Sequence, residues 1–194
     1  HTLHQQATVS HNLANATTTG YRAETNAFRA VPMFGDGLPT RAFVLDSTTG
    51  ADFSPGPIEH TDRNLDVAVR GSGWIVVELP NGEEAYTRHG GLQVSPNGIL
   101  QTHNGVNVKG GTGIISLPQD SRINIAGDGT VSAVPITPLP NTVVTVDRIK
   151  LVDPPENQLV KGHDGLFRLK DGGEALADAN VQLASGALEG SNVN

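Results

Sequence analysis

The 194-residue sequence has no cysteine, a single tryptophan and no long apolar run. Without cysteine, disulfides, cysteine metal sites and thiol nucleophiles are excluded. No apolar run approaches the ~18 residues of a membrane-spanning helix. Basic residues are also scarce, because 13 Lys and Arg stand against 20 Asp and Glu. A formal charge of −7 without a basic cluster argues against a nucleic-acid partner.

Glycine and proline are plentiful, with 23 and 12 residues, which favours a fold with many turns. The pairs Asn81-Gly82, Asn97-Gly98 and Asp128-Gly129 separate apolar runs and predict three hairpins. A proline-rich connection follows at residues 135–140. The predicted strands cover residues 65–69, 74–79, 85–87, 92–94, 99–100, 114–117, 122–126, 130–134, 143–146, 148–152, 166–169, 176–179 and 181–188. The sequence therefore predicts a mainly β fold, an antiparallel meander or sandwich-like core.

The first segment has a different pattern. Small apolar residues in 3–16 fall on one helical stripe, and three threonines with Gly20 predict that this short helix ends near Ala16. A second helical pattern, through Ala23, Ala27 and Ala30, is predicted to end before a proline. We therefore divide the chain into a helical N-terminal segment at 1–30, an all-β core domain at 31–185 and a C-terminal segment at 186–194.

No set of polar residues predicts an active site. Gly71-Ser72-Gly73 is too short for a nucleophile elbow and is expected to join two strands. Gly110–Gly113 lacks the Lys-Ser/Thr of a phosphate loop and is expected to be a bent connection. Glu83-Glu84 follows a hairpin turn and is interpreted as a solvated pair, and Trp74 as a core residue.

Metal binding is not predicted either. The seven histidines lack the spacing of a zinc site, and three of them are interpreted as solvent-facing loop or strand-end residues: His89, His103 and His163. Asp62, Asp66 and Asp128 lack the other ligands of a calcium loop, and they are assigned to turns and strand edges. No cofactor and no catalytic residue are expected.

Three blocks of the sequence resemble the flagellar rod and hook protein family, the axial subunits of the bacterial flagellum. Asn12–Asn15 with Thr19–Arg22 resembles the N-terminal signature of the family. NLDVAVRGSGWIVVE and YTRHGGLQVSPNGIL are similar to its central block, and LEGSNV at 188–193 is similar to the segment before its C-terminal helix. Local segments at 28–32, 38–41, 50–56, 128–133 and 164–169 favour a proximal-rod member over a distal-rod or hook-type one.

The resemblance implies a structural subunit of the proximal rod, not an enzyme. Such subunits are exported unfolded by the flagellar type III apparatus and polymerise helically in the periplasm, as part of the drive shaft between the export apparatus and the distal rod. The implied partners are other rod subunits and the export apparatus, with no small-molecule substrate. Because the family continues beyond both ends of this sequence, we expect truncated terminal helices, loose order in residues 1–30 and a monomeric isolated chain.

The residues that the resemblance marks for subunit assembly lie at the two ends: Asn12, Leu13, Asn15, Thr19, Gly20, Tyr21, Leu188, Glu189, Asn192 and Val193. Two other hypotheses stay open at this point. A secreted glycan- or calcium-binding β protein would use Trp74 and the aspartates, and a calcium or glycan titration would detect it. A chaperone-like adaptor would bind one foreign partner instead of associating head to tail.

Overall fold

A computed structural model describes residues 2–32, 42–136 and 142–193. In this part of the chain one α-helix precedes the β-strands, and a 3₁₀ turn lies at Glu156–Gln158. The elements are α1 (Thr2–Ala14), β1 (Glu24–Pro32), β2 (Ala42–Ala51), β3 (Ile58–His60), β4 (Val67–Arg70), β5 (Trp74–Glu78), β6 (Glu84–Thr87), β7 (Leu92–Val94), β8 (Leu100–Thr102), β9 (Asn107–Val108), β10 (Ser121–Ile125), β11 (Thr130–Pro135), β12 (Val144–Arg148), β13 (Leu151–Val152), β14 (Leu159–Lys161), β15 (Phe167–Leu169), β16 (Gln182–Ser185) and β17 (Ala187–Glu189). The mainly β fold with a short N-terminal helix is confirmed.

The ladders in the described ranges are antiparallel, as the turn signals predict. The largest sheet has the order β14-β15-β6-β5-β9-β8-β7, and β13 also pairs with β5. The strands β10, β11 and β12 form a second sheet, and β16 pairs with β4 while β17 pairs with β3. The Asn81-Gly82 and Asn97-Gly98 turns connect β5 to β6 and β7 to β8, and Asp128-Gly129 connects β10 to β11.

The central strand β5 is buried on both faces, which explains its unbroken apolar sequence. Ile75 joins a core cluster that is shared with β4, β10, β11 and β16. Trp74 and Val76, on the opposite face, pack with Tyr86 and Phe167 in a second cluster. The prediction that Trp74 is a core residue is confirmed, since its ring centroid lies 4.6 Å from that of Phe167.

The helical pattern predicted through Ala23, Ala27 and Ala30 is wrong. Ala23 directly precedes β1, and Ala27 and Ala30 lie in it. This strand pairs with β2 from Glu24 opposite Ala51 to Pro32 opposite Ala42. The alanine spacing is helical, but Thr25, Phe28 and Val31 favour strands, and the residue before a proline avoids the helical region. β1 crosses the boundary placed at residue 30, and the division into three segments stays a prediction.

Smaller differences concern the predicted strands. Residues 114–117 and 176–179 make isolated bridges, such as Lys109 with Ile114 and Val152 with Ala177, instead of strands. The glycines around Ser72 have positive φ angles of 69° and 111°, and they connect β4 to β5 as predicted. The family-like segment at 38–41 and most of the proline-rich connection, at 137–141, lie outside the described residues.

Candidate functional site

The two family signatures meet in the fold, although they lie some 170 residues apart in the sequence. Residues 19–24 pack against 187–193, against 52–56 and against Arg88-His89. We call this assembly of four segments the terminal junction. It joins the end of α1 to the β strands.

A buried ion cluster lies at the centre of the terminal junction. The Glu189 carboxylate accepts a hydrogen bond from Nη2 of Arg22 at 2.7 Å and from the Gly56 amide at 2.9 Å. Its second oxygen lies 3.4 Å from Nη1 of Arg88. The Arg22 and Glu189 side chains are almost completely buried, at 0% and 1% exposure. One carboxylate therefore faces two guanidinium groups in a place from which water is excluded.

Arg88 is held further by the β4–β5 connection. Its Nη1 donates to the Val69 carbonyl at 3.1 Å and its Nη2 to the Gly71 carbonyl. Burial lowers the pKa of Arg88, and the nearby Glu189 carboxylate opposes that shift. Nε and Nη1 of Arg22 have no hydrogen-bond partner within the described part of the chain. The cluster thus depends on Glu189 for its charge compensation.

Gly20 brings the N-terminal signature into close backbone contact with the β domain. Its amide donates to the Glu189 carbonyl at 2.7 Å, and its φ angle is +67°. A Cβ atom at this position would lie 2.5 Å from the backbone of Arg88 and of His89. Only glycine fits both the conformation and the space.

The preceding residue, Thr19, is fixed by His89. The Nδ1 atom of His89 lies 3.2 Å from the Thr19 carbonyl and also contacts the Thr19 hydroxyl. His89 is half-buried, and burial lowers its pKa below the usual 6.5. His89 lies just after the end of β6, as predicted for a strand-end residue, but the solvent-facing part of the prediction is wrong, since its ring packs against Thr19.

Two asparagines bracket the start of β1 from opposite ends of the sequence. The Asn12 side chain accepts a hydrogen bond from the Glu24 amide at 2.8 Å and donates to the Glu24 carbonyl at 2.9 Å. The Asn192 side chain accepts from the Ala23 amide at 2.7 Å and donates to the Asp52 carbonyl at 2.9 Å. Each amide satisfies backbone groups that the β1–β2 ladder leaves open.

Tyr21 closes the terminal junction beneath α1. It is buried, and its hydroxyl donates to Asn12 Oδ1 at 3.1 Å. Burial, assisted by the negative charge of Glu24, raises the pKa of Tyr21 to about 12. The hydroxyl therefore remains a hydrogen-bond donor throughout the physiological pH range.

The other predicted assembly residues are less enclosed. Leu13 is 73% exposed on α1, and the Asn15 side chain donates to the His11 carbonyl at 2.9 Å. Leu188 and Val193 are half-buried. The structure thus brings six of the ten together within one molecule: Asn12, Thr19, Gly20, Tyr21, Glu189 and Asn192. A role of the ten residues in subunit assembly stays a prediction, as does loose order in residues 1–30.

Sequence reasoning missed the partners that these residues use. Arg22 and Arg88 stand inside the quoted signatures, yet nothing in the linear pattern links them to Glu189. The sequence did offer a signal for the burial of Glu189 itself, because LEGSNV places one carboxylate directly after strand-like residues. The solvated-pair interpretation is also wrong for Glu84, whose buried carboxylate lies 2.9 Å from the Lys109 ammonium and 2.5 Å from that of Lys150.

Two absences apply to the part of the chain that the structure describes. No helix in this part is both long and apolar enough to cross a membrane. No group of three or more His, Asp or Glu side chains lies close enough to hold a metal ion there. The Asp128 carboxylate instead accepts hydrogen bonds from Thr130, as expected for turn chemistry.

Comparison with known proteins identifies the class of this fold. The family model described as flagellar hook protein FlgE/F/G D1 domain matches residues 68–133. The chain is 48% identical to the flagellar basal-body rod protein FlgF of Salmonella typhimurium, over 99% of this chain and 78% of that protein. For FlgF of Escherichia coli K12 the identity is 47%, over 100% and 79%. The match thus defines an axial protein of the flagellum.

A second kind of rod protein matches less of the chain. The flagellar basal-body rod protein FlgG of Buchnera aphidicola from Acyrthosiphon pisum is 33% identical over 65% of this chain and 54% of that protein. The chain belongs to the FlgF family of flagellar basal-body rod proteins. It is a structural protein of the flagellar basal body.

Proposed function

We propose that the chain is a subunit of the proximal part of the rod and that it polymerises through heterologous contacts. Identical subunits that associate head to tail without closing a ring form a helical tube. Torque then passes through many lateral contacts, and no side chain acts as a catalyst. The neighbours are other rod subunits, which the chain joins after export as an unfolded polypeptide by the flagellar type III apparatus.

The pattern of similarity supports the assignment to the proximal rod. Identity to FlgF proteins extends over practically the whole chain, including both terminal signatures. Identity to FlgG covers 65% of the chain. A distal-rod subunit is therefore the weaker alternative.

The observation that carries the assembly proposal is an exposed apolar edge on α1. Val9 and Leu13 lie one helical turn apart, with exposures of 64% and 73%. Burying a large aliphatic side chain contributes about 1.5–3 kcal/mol. A neighbouring helix that covers the edge would therefore gain from burying both the valine and the leucine side chain. The helix surface toward β1 is polar by contrast, with Thr8 and Asn12 hydrogen-bonded to that strand.

The terminal junction supplies the rigid connection that a drive shaft needs. Its buried ion cluster and its two asparagine brackets tie the end of α1 to both β1 and the C-terminal segment. A force on α1 is therefore transmitted to the β domain through several short contacts. In this proposal the β domain faces outward and the terminal segments face the axis of the tube.

A co-sedimentation experiment with neighbouring rod subunits tests the proposal. The variant Val9→Lys/Leu13→Lys places charges on the apolar edge and should lose co-sedimentation while its melting temperature stays unchanged. Leu176→Lys is the matched control, because Leu176 is 91% exposed but lies on the loop between β15 and β16 and not on α1. Equal co-sedimentation of the two variants and the unmodified chain would refute the role of α1.

A further inference from the structure

The helix α1 is held to the β domain by polar contacts. Thr8 Oγ1 lies 3.2 Å from Asn26 Oδ1, and Asn12 brackets the Glu24 backbone. His11 Nδ1 contacts the Glu24 carboxylate at 3.1 Å and the Tyr21 hydroxyl at 3.2 Å. Val9 and Leu13 are exposed and take no part in this attachment. Polar and ionic contacts therefore determine how the helix is oriented.

The Glu24 side chain is the common partner in this attachment. Its Oε1 atom faces His11 on α1 and also the Lys161 ammonium on β14, at 3.4 Å. Lys161 donates to the Arg22 carbonyl at 2.9 Å and lies 3.9 Å from the centre of the Tyr21 ring. Burial lowers the pKa of Lys161, and the Glu24 carboxylate opposes that shift. Lys161 thus links the edge of the largest sheet to the segment that carries α1.

The chain between these contacts allows the helix to pivot. Residues 19–22 are fixed in the terminal junction, where Gly20 packs on the Arg88 backbone and Arg22 is buried. Residues 15–18 form a short turn in which Thr17 and Thr18 are exposed. A change of backbone angles in this turn would swing α1 away from β1 and break the Asn12 contacts, while the buried Arg22–Glu189 pair and the Gly20 contact stay in place.

We propose that Glu24 and Lys161 are positioning residues, which with His11 form a latch that fixes the angle between α1 and the β domain. The latch sets the direction in which Val9 and Leu13 face a neighbouring subunit, so its importance for assembly rests on the function proposed above. The orientation itself is a property of the single chain. Neither residue belongs to the set that the sequence marks for assembly.

A distance measurement between two spin labels tests the latch directly. The chain has no cysteine, so Ala7→Cys on α1 and Asn104→Cys on the β8–β9 turn give a uniquely labelled pair at exposed positions. The unmodified background should give one narrow distance distribution. Glu24→Gln or Lys161→Met should broaden this distribution. We call the form with α1 held against β1 closed and the form with α1 swung away open, and we expect the ratio of open to closed forms to rise about tenfold, equivalent to about 1.4 kcal/mol.

Matched controls separate the latch from general effects of charge. His11, Glu24 and Lys161 line one cleft, and Glu156 and Lys170 also line it but have no described contact with α1. Glu156→Gln and Lys170→Met are therefore the controls. They should leave the distribution narrow. Added salt should broaden the distribution of the unmodified chain, because it screens the attraction between the Glu24 carboxylate and the Lys161 ammonium. In the Glu24→Gln variant, added salt should have no further effect on the distance distribution. A residue that acted only through the shape of its side chain would leave the salt dependence unchanged.

The outcomes distinguish this inference from the proposed function. Unchanged distributions in both Glu24→Gln and Lys161→Met, with the fold intact by circular dichroism, would overturn the latch. A narrow distribution that broadens only in the latch variants would support it, even if the chain failed to join other rod subunits. That failure would instead refute the function proposed above.

Discussion

At the scale of single residues, the terminal junction depends on one carboxylate. Glu189 compensates two buried guanidinium groups, and both Arg22 and Arg88 have further donors that face other parts of the interior. Breaking a buried ion pair from one side leaves an uncompensated charge, which is far more costly than the loss of an exposed pair. The stability of the folded chain should therefore depend strongly on the negative charge of Glu189.

We predict that Glu189→Gln lowers the free energy of unfolding by about 3–5 kcal/mol, because two cations lose their counter-ion. Urea unfolding measures the change. Glu59→Gln, on the exposed strand β3 beside Leu188, is the control and should cost less than about 0.5 kcal/mol. A similar small effect for both variants would show that the buried cluster does not contribute to stability.

His89 predicts a pH dependence whose sign follows from burial. Its pKa is lowered in the folded state, so the unfolded chain binds the proton more readily. The stability that a neutral His89 contributes is present above about pH 6.5 and is lost as the pH falls through the folded pKa. The variant His89→Asn keeps a donor for the Thr19 carbonyl but does not titrate. Its melting temperature should fall less than that of the unmodified chain between about pH 7.5 and 5, and equal falls would exclude His89 as the cause.

At the scale of elements, local turn chemistry made much of the fold predictable. Asn-Gly and Asp-Gly pairs favour tight hairpin loops in which the glycine takes a positive φ angle, so three hairpins could be located from the sequence. The strand β1 could not, because its alanines are spaced as in a helix and its partner β2 begins only at Ala42. The burial of Glu84 was equally invisible, since Lys109 and Lys150 reach it from distant strands.

The turn between α1 and β1 carries its own prediction. Gly20→Ala should cost more than Gly71→Ala, although both glycines have φ angles near +68°, at +67° and +69°. Alanine pays about 1–2 kcal/mol for the left-handed conformation at either site. At Gly20 it also meets the Arg88 backbone at 2.5 Å, whereas nothing lies within 4 Å at Gly71. Thermal denaturation compares the two variants. Equal losses of melting temperature would mean that the backbone near Gly20 moves enough to accommodate the added methyl group.

At the scale of the whole molecule, the two ends of the sequence form one structural unit. The resemblance marks ten residues, and six of them contact one another or shared partners inside a single chain. Their partners could not be predicted, because Arg88, His89 and Lys161 join them only through the β fold. We infer a division of labour in which the junction holds α1 and the exposed edge of α1 meets a neighbouring subunit.

Site-specific crosslinking in purified flagellar basal bodies tests this central claim most directly. The chain would carry Leu13→Cys or, as a control, Leu176→Cys, each as its single cysteine, and a short thiol-to-amine crosslinker would be added. We predict that Leu13→Cys crosslinks to another rod subunit and that Leu176→Cys, on a loop of the β domain, gives markedly less product. Absence of a rod crosslink from Leu13→Cys, in basal bodies that contain the chain, would contradict the account.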